Sequence, residues 1–120
     1  MRVRALRGAV TAAEDTKDEI VSETVELLEE MLDRNDVATD EVVFILFTAT
    51  DDLKAEFPAA AVRKLGLSHI PVICARELGV EGSLPRTIRA MMLINTDKAR
   101  EALRHVYLKE ARQLRTDLPE

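Results

Sequence analysis

The strongest constraint on the fold is a run of six apolar residues, Val42-Val43-Phe44-Ile45-Leu46-Phe47. A strand with one face in water alternates apolar and polar residues, and this run does not alternate. The pattern therefore predicts a central strand that is covered on both faces. The run is also far shorter than the roughly 20 residues that a membrane-spanning helix needs, so no membrane association is expected.

Length and composition predict one ordinary globular domain over residues 1–120. A chain of 120 residues can bury about two-thirds of the surface that its unfolded form exposes. Apolar residues make up 47% and charged residues 32%, but aromatic residues only 3%, so the core must be aliphatic. The net charge is −5 and no block of Lys or Arg exceeds two residues. Nucleic acid is therefore not an expected partner.

The single cysteine predicts a reducing, cytoplasmic location, because no internal disulfide can form. His69 and His105 lie far apart without a second thiol, so no metal site is expected. The residues from Met1 to Val10 intersperse arginines among apolar residues, which is unlike a signal peptide.

Local patterns predict the order of the elements. Thr16-Lys17-Asp18-Glu19 reads as a capping box that begins a helix of about five turns, ending at Arg34. A second helix is expected from Pro58 to a stop at Gly66, and a short one, capped by Asp97, over Lys98 to Leu103. Further strands are expected at Val3–Ala9, Ile70–Cys74, Thr87–Asn95 and Arg104–Leu108. Residues 109–120 read as a polar tail that is flexible from about residue 112.

The order βαβαββ(α)β favours an α+β domain with two main helices on one face of a mixed sheet. Two helices cannot cover both faces of such a sheet. The uncovered apolar face predicts an oligomer, in which copies of the chain bury it.

The stretch from Ile70 to Asn95 carries the most suggestive polar residues. Cys74 and Glu77 stand at the end of a short apolar strand, and Arg89 alternates onto the same strand face as Met91 and Leu93. A guanidinium on a mostly apolar face needs an anion. That anion is either Glu77, in an internal ion pair, or a ligand.

Five segments together resemble a known family, the small trimeric α/β class of chorismate mutase. The similarity runs from Arg7 to about Leu118. Its pieces are Arg7-Gly8-Ala9, Phe57-Pro58-Ala59-Ala60-Ala61-Val62-Arg63, Val72-Ile73-Cys74 with Glu77, Ile88-Arg89-Ala90-Met91-Met92, and Arg104-His105-Val106-Tyr107-Leu108 followed by Leu114-Arg115.

The resemblance implies a homotrimer with a barrel-like core and active sites in the clefts between subunits. It assigns Arg7 and Tyr107 to a carboxylate of chorismate, Arg89 to the breaking ether oxygen, and Glu77 with Cys74 to the ring hydroxyl. The surrounding wall and lid would be Phe57, Ala59, Arg63, Val72, Ile73, Leu114 and Arg115. Ala60 departs from the pattern, because some members have Lys there.

Chorismate mutase chemistry is a pericyclic rearrangement within one dianion, so it needs no cofactor, metal or nucleophile. It needs a folded substrate conformer and positive charge where the ether oxygen gains negative charge. Arginine suits both tasks, since its planar fork stays charged.

Other readings of the same residues remain open. Cys74 and Tyr107 could be core residues, Arg63 could lie in solvent, and the two histidines read as structural or surface residues. The chain could also be a Rid-type trimeric small-molecule binding or deaminating protein, or a non-catalytic trimeric scaffold.

Overall fold

The computed structural model describes residues 1–114 as a five-stranded sheet with helices on one face. The strands are β1 (Arg2–Thr11), β2 (Val42–Ala49), β3 (Val72–Arg76), β4 (Thr87–Thr96) and β5 (Val106–Tyr107). The α-helices are α1 (Lys17–Arg34) and α2 (Ala60–Lys64), and 3₁₀ turns cover Thr39–Glu41, Arg100–Ala102 and Lys109–Leu114.

The strand order is β3-β2-β4-β1-β5. β4 pairs antiparallel with both β1 and β2, whereas β3 and β5 add parallel to the two outer sides. The predicted mixed sheet and element order are confirmed. The apolar run lies inside the sheet as β2, but the middle strand is β4, which is long enough to pair along both neighbours.

Helix α1 begins where its sequence predicts, but only half of the predicted capping box forms. Thr16 Oγ1 accepts a hydrogen bond from the Glu19 backbone N–H at 3.1 Å. The Glu19 carboxylate does not complete the capping box, because it accepts instead from the Ala13 N–H at 2.8 Å. The apolar face of α1 packs on β1, and at Gly8 the approach is so close that a Cβ would lie 2.5 Å from Met31 Sδ.

Several predicted elements are shorter in the structure. Helix α2 has one turn, and Gly66 follows its end with φ +75°. The helix expected after Asp97 is only the 3₁₀ turn Arg100–Ala102, and the last strand keeps two residues. The first part of the expected tail forms the 3₁₀ turn Lys109–Leu114, and the remaining tail residues lie outside the described ones.

One face of the sheet is left open. The helices cover the face with Leu6, Ile45 and Met92, all of which are fully buried. The opposite face carries Val3, Ala5, Phe44, Leu46, Ile73, Met91 and Leu93, all exposed or half-buried. Strand β2 is thus covered on one face only within a single chain, and burial of the second face by other copies stays a prediction. No helix within residues 1–114 is long and apolar enough to cross a membrane.

Candidate active site

A cleft on the open face of the sheet gathers four of the five predicted catalytic residues. Its volume is about 330 Å³, which suits a small molecule. The lining residues are Arg7, Gly8, Ala9, Leu46, Thr48, Glu77, Arg89, Ala90, Met91 and Tyr107. We refer to this group as the arginine cleft.

Arg89 and Glu77 form an ion pair within the arginine cleft, through Arg89 Nε and Glu77 Oε2. Arg89 lies on β4, on the same face as Met91 and Leu93, as the alternation predicts. Glu77 follows β3 and its backbone N–H donates to the Ala49 carbonyl at 3.0 Å, which holds the backbone of Glu77 beside the sheet. The side chains remain 41% and 23% exposed, respectively, so the pair faces the cleft and is open to a ligand.

Arg7 and Tyr107 stand on neighbouring strands on the other side of the cleft. The Arg7 guanidinium lies 6.0 Å from the centre of the Tyr107 ring, within range of a cation–π contact. The backbone N–H of Arg7 donates to His105 Nδ1 at 2.9 Å. Burial lowers the pKa of His105, and the nearby Arg7 charge lowers it further. His105 is therefore neutral here and serves as an acceptor.

Thr48 is a cleft residue that the sequence did not reveal. It lies opposite Arg89 in the β2–β4 pairing, so both side chains emerge on the open face. Its buried Oγ1 has no hydrogen-bond partner among residues 1–114. Alternation along β2 could have placed Thr48 on one face, but only the strand register puts it beside Arg89.

Cys74 lines a different cavity, of about 420 Å³, together with Phe57, Pro58 and Ala75. We call this region the Phe57 side. Cys74 packs against the helix-covered core, whereas Phe57 is 69% exposed. Burial raises the pKa of the Cys74 thiol, and the Ala59 backbone offsets part of this. The side chain is thus a neutral thiol in the structure, not a thiolate nucleophile.

Within one chain the arginine cleft and the Phe57 side lie far apart. Cys74 and the exposed Ile73 lie on β3, and Tyr107 lies on β5, at opposite edges of the sheet. Four strand spacings separate these edges, or roughly 19 Å at 4.8 Å for each spacing. A single copy therefore does not bring Cys74 next to Tyr107.

The remaining predicted residues fall into the same two groups. Ala59 and the exposed Arg63 belong to the short helical segment after Phe57, and half-buried Val72 begins β3. Leu114 lines a cavity next to the arginine cleft, together with Glu77 and Arg89. Arg115 lies outside the described residues.

Two guanidiniums, a carboxylate and a phenol around one small cleft are suited to binding an anion of fixed shape. The arginines supply positive charge at two separated points, and Glu77 holds one of them in place.

Comparison with known proteins agrees with this chemistry. The family model described as "Chorismate mutase type I" matches residues 3–118. Two similar proteins are both named "Chorismate mutase AroH". The one from Thermus thermophilus is 48% identical over 117 residues, covering 97% of this chain and 96% of its own. The one from Bacillus subtilis (strain 168) is 44% identical over 119 residues, covering 98% and 94%.

A solved structure supports the fold independently. "Chorismate mutase from Clostridium thermocellum Cth-682" superposes with a TM-score of 0.90 at 45% sequence identity, covering 92% of this chain and 98% of that one.

Proposed function

The chain belongs to the chorismate mutase type I family, and we propose that its active site is the arginine cleft, completed by the Phe57 side of a neighbouring subunit. The protein is a chorismate mutase, an isomerase of aromatic amino acid biosynthesis that rearranges chorismate to prephenate. Family membership and the match in fold favour this activity over the Rid-type and scaffold alternatives.

The reaction moves no proton and forms no bond to the enzyme. Chorismate must fold so that its side chain reaches the ring, and the ether oxygen gains negative charge as its bond to carbon breaks. Catalysis therefore depends on holding the folded dianion and on placing positive charge at that oxygen beforehand.

Arg89 is the residue that we assign to the ether oxygen. It extends from the middle strand, whose pairing on both sides fixes its backbone. Its ion pair with Glu77 keeps the guanidinium beside the cleft, which reduces the reorganisation needed when charge develops. This Arg89–Glu77 pair facing the cleft is the observation that best supports the assignment.

Arg7 and Tyr107 are assigned to a carboxylate of the substrate. They stand side by side on β1 and β5, so a guanidinium and a phenol can donate to the same carboxylate. We assign Glu77 to the ring hydroxyl, for which its carboxylate is an acceptor. The neutral Cys74 thiol would approach the same hydroxyl from the neighbouring subunit.

The open face supports a shared site. It exposes Ile73 by 58% and Val3 by 56%, and apolar surface of this extent is characteristic of contacts between subunits. We propose a homotrimer in which the Phe57 side of one subunit, with Ala59, Arg63, Val72, Ile73 and Cys74, forms the outer wall of the neighbour's arginine cleft. Leu114, which lines the neighbouring cavity, would cover the cleft, and Arg115 is assigned to the same lid by the family resemblance alone.

A cytoplasmic location is also proposed. The lone Cys74 is a free thiol in the structure, which suits a reducing compartment.

A mixing experiment tests the shared site. Arg89→Ala and Arg63→Ala variants are purified separately, mixed, unfolded and refolded together, and assayed by the loss of chorismate absorbance. If the two arginines come from different subunits, mixed oligomers contain some intact sites, and activity exceeds that of either variant alone. Activity no higher than the average of the two variants contradicts the shared site, and light scattering that shows an active monomer contradicts the trimer.

A further inference from the structure

We propose that Glu23 and Lys109 are positioning residues for catalysis: their ion pair aims the 3₁₀ turn Lys109–Leu114 so that it covers the arginine cleft. This inference rests on the proposed active site, since it concerns the segment that borders that site. Neither residue lines the cleft, so both would act through the turn.

The ion pair joins two distant parts of the chain. Lys109 Nζ lies 3.3 Å from Glu23 Oε2, on the helix α1 that covers the opposite face of the sheet. The Glu23 side chain is only 10% exposed and the Lys109 side chain 46% exposed. Lys109 follows the end of β5 closely, and its side chain therefore extends back towards α1. Its contact with Glu23 fixes the direction in which the turn begins.

The backbone at Lys109 is strained in a way that needs such support. Its φ is +56°, a conformation that residues other than Gly, Asn and Asp rarely adopt. Immediately afterwards, the Glu110 N–H donates to Thr11 Oγ1 at 3.2 Å and the Ala111 N–H to the Leu108 carbonyl at 3.1 Å. A reversal of direction thus occurs at Lys109, with the ion pair on one side and these hydrogen bonds on the other.

The turn leads directly to the arginine cleft. Ala111 is fully buried against Ala9 and Tyr107, and Leu114 packs on the same group. Leu114 also lines the cavity next to Glu77 and Arg89. A change in the direction of the turn at Lys109 would therefore shift Leu114 away from the Arg89–Glu77 pair and remove packing from Tyr107.

The energetics of Glu23 are consistent with a positioning role. Burial raises the pKa of Glu23, and the nearby Glu19 and Glu26 carboxylates raise it further, although Lys109 acts in the opposite direction. Glu23 Oε1 is buried and has no hydrogen-bond partner among residues 1–114. A buried carboxylate with one unpartnered oxygen contributes little net stability to the fold. The effect of Glu23 is instead to hold Lys109 in a fixed position.

The experiment compares variants of the full chain. Glu23→Gln removes the charge at constant shape, and Lys109→Asn removes the charge with a residue that tolerates the positive φ. The double variant Glu23→Lys/Lys109→Glu reverses the pair. Glu30→Gln is the matched control, because it breaks the Glu30–Arg34 pair on the same helix.

Each single variant should raise KM about fivefold while kcat stays within about twofold, because closure over the substrate affects binding more than the bond-breaking step. The reversed pair should restore KM, and Glu30→Gln should leave both constants unchanged. Unchanged KM in both single variants would falsify the inference, as would failure of the reversed pair to restore KM.

Amide hydrogen exchange at Glu110 and Ala111 provides a readout that does not depend on catalysis. Both amides should exchange faster in the two single variants than in the control. If the unmodified chain does not rearrange chorismate, the proposed active site is wrong, whatever the amide exchange shows. If amide exchange is unaltered in both single variants, the proposed role of the Glu23–Lys109 pair is wrong, whatever the turnover shows.

Discussion

The backbone N–H of Arg7 donates a hydrogen bond to Nδ1 of His105, 98 residues further along the chain and 2.9 Å away. An imidazole nitrogen accepts only when it carries no proton, so His105 must be neutral, with its proton on Nε2. The bond fixes the start of the segment that leads into β5 against the backbone of Arg7. The backbones of two proposed substrate-binding residues, Arg7 and Tyr107, are thereby held on adjacent strands.

Replacement of His105 should distinguish the two ring nitrogens. His105→Ala leaves a backbone donor unpaired near the core, which should cost about 1–3 kcal/mol of the free energy of unfolding. In His105→Asn the side-chain oxygen can take the place of Nδ1, so most of that loss should be recovered. His105→Gln places its oxygen nearer the position of Nε2 and should behave like Ala. Denaturant unfolding measures all three, and equal stability of the Asn and Gln variants would contradict the assignment.

The same residue predicts how stability depends on pH. The folded-state pKa of His105 is lowered from 6.5, so below pH 6.5 the unfolded chain binds the proton more readily than the folded chain. Its contribution is therefore fully present above pH 6.5 and is lost as pH falls towards the lowered value. As the pH is lowered from about 7.5 to about 5.5, one unit either side of the ordinary His pKa, the melting temperature should fall less in His105→Asn than in the unmodified chain. Parallel curves would show that His105 is not responsible.

Replacement of Arg89 should affect turnover more than folding. If its guanidinium stabilises charge that appears only in the transition state, Arg89→Ala should lower kcat about 10²-fold or more. Arg89→Lys should also be poor, since an ammonium lacks the planar fork of the guanidinium and the Nε that pairs with Glu77. Chorismate turnover and melting temperature are measured on the same preparations. A variant with a lowered melting temperature but normal kcat would limit Arg89 to a structural ion pair.

Gly8 should tolerate no side chain without cost. A Cβ there would lie 2.5 Å from Met31 Sδ and 3.0 Å from Leu27 Cδ1, so these two side chains would have to move. We expect Gly8→Ala to lose about 1–2 kcal/mol of the free energy of unfolding, near the low end of overpacking because Met31 is flexible. Gly79→Ala is the matched control, since nothing lies within 4 Å of its added Cβ. Equal stability of the two variants would contradict the packing described here.

Local patterns in the sequence determined the parts of this protein that depend on neighbouring residues. The helix Lys17–Arg34 followed from its Thr16 cap and its 3.6-residue period. Strand β4 followed from the alternation that places Arg89 with Met91 and Leu93. The element order predicted the mixed sheet. The resemblance to a family named the site residues, four of which the structure brings into one cleft.

Only the tertiary structure decided the features that depend on long-range pairing. Strand order placed β4 in the middle and put Cys74 and Tyr107 at opposite edges, and strand register put Thr48 beside Arg89. His105 became an acceptor for Arg7 through a contact between segments 98 residues apart. Hydrophobic periodicity specifies which face of a strand is buried, but it carries no information about which strand lies alongside or at which residue they align. Those choices are made by packing across the whole domain.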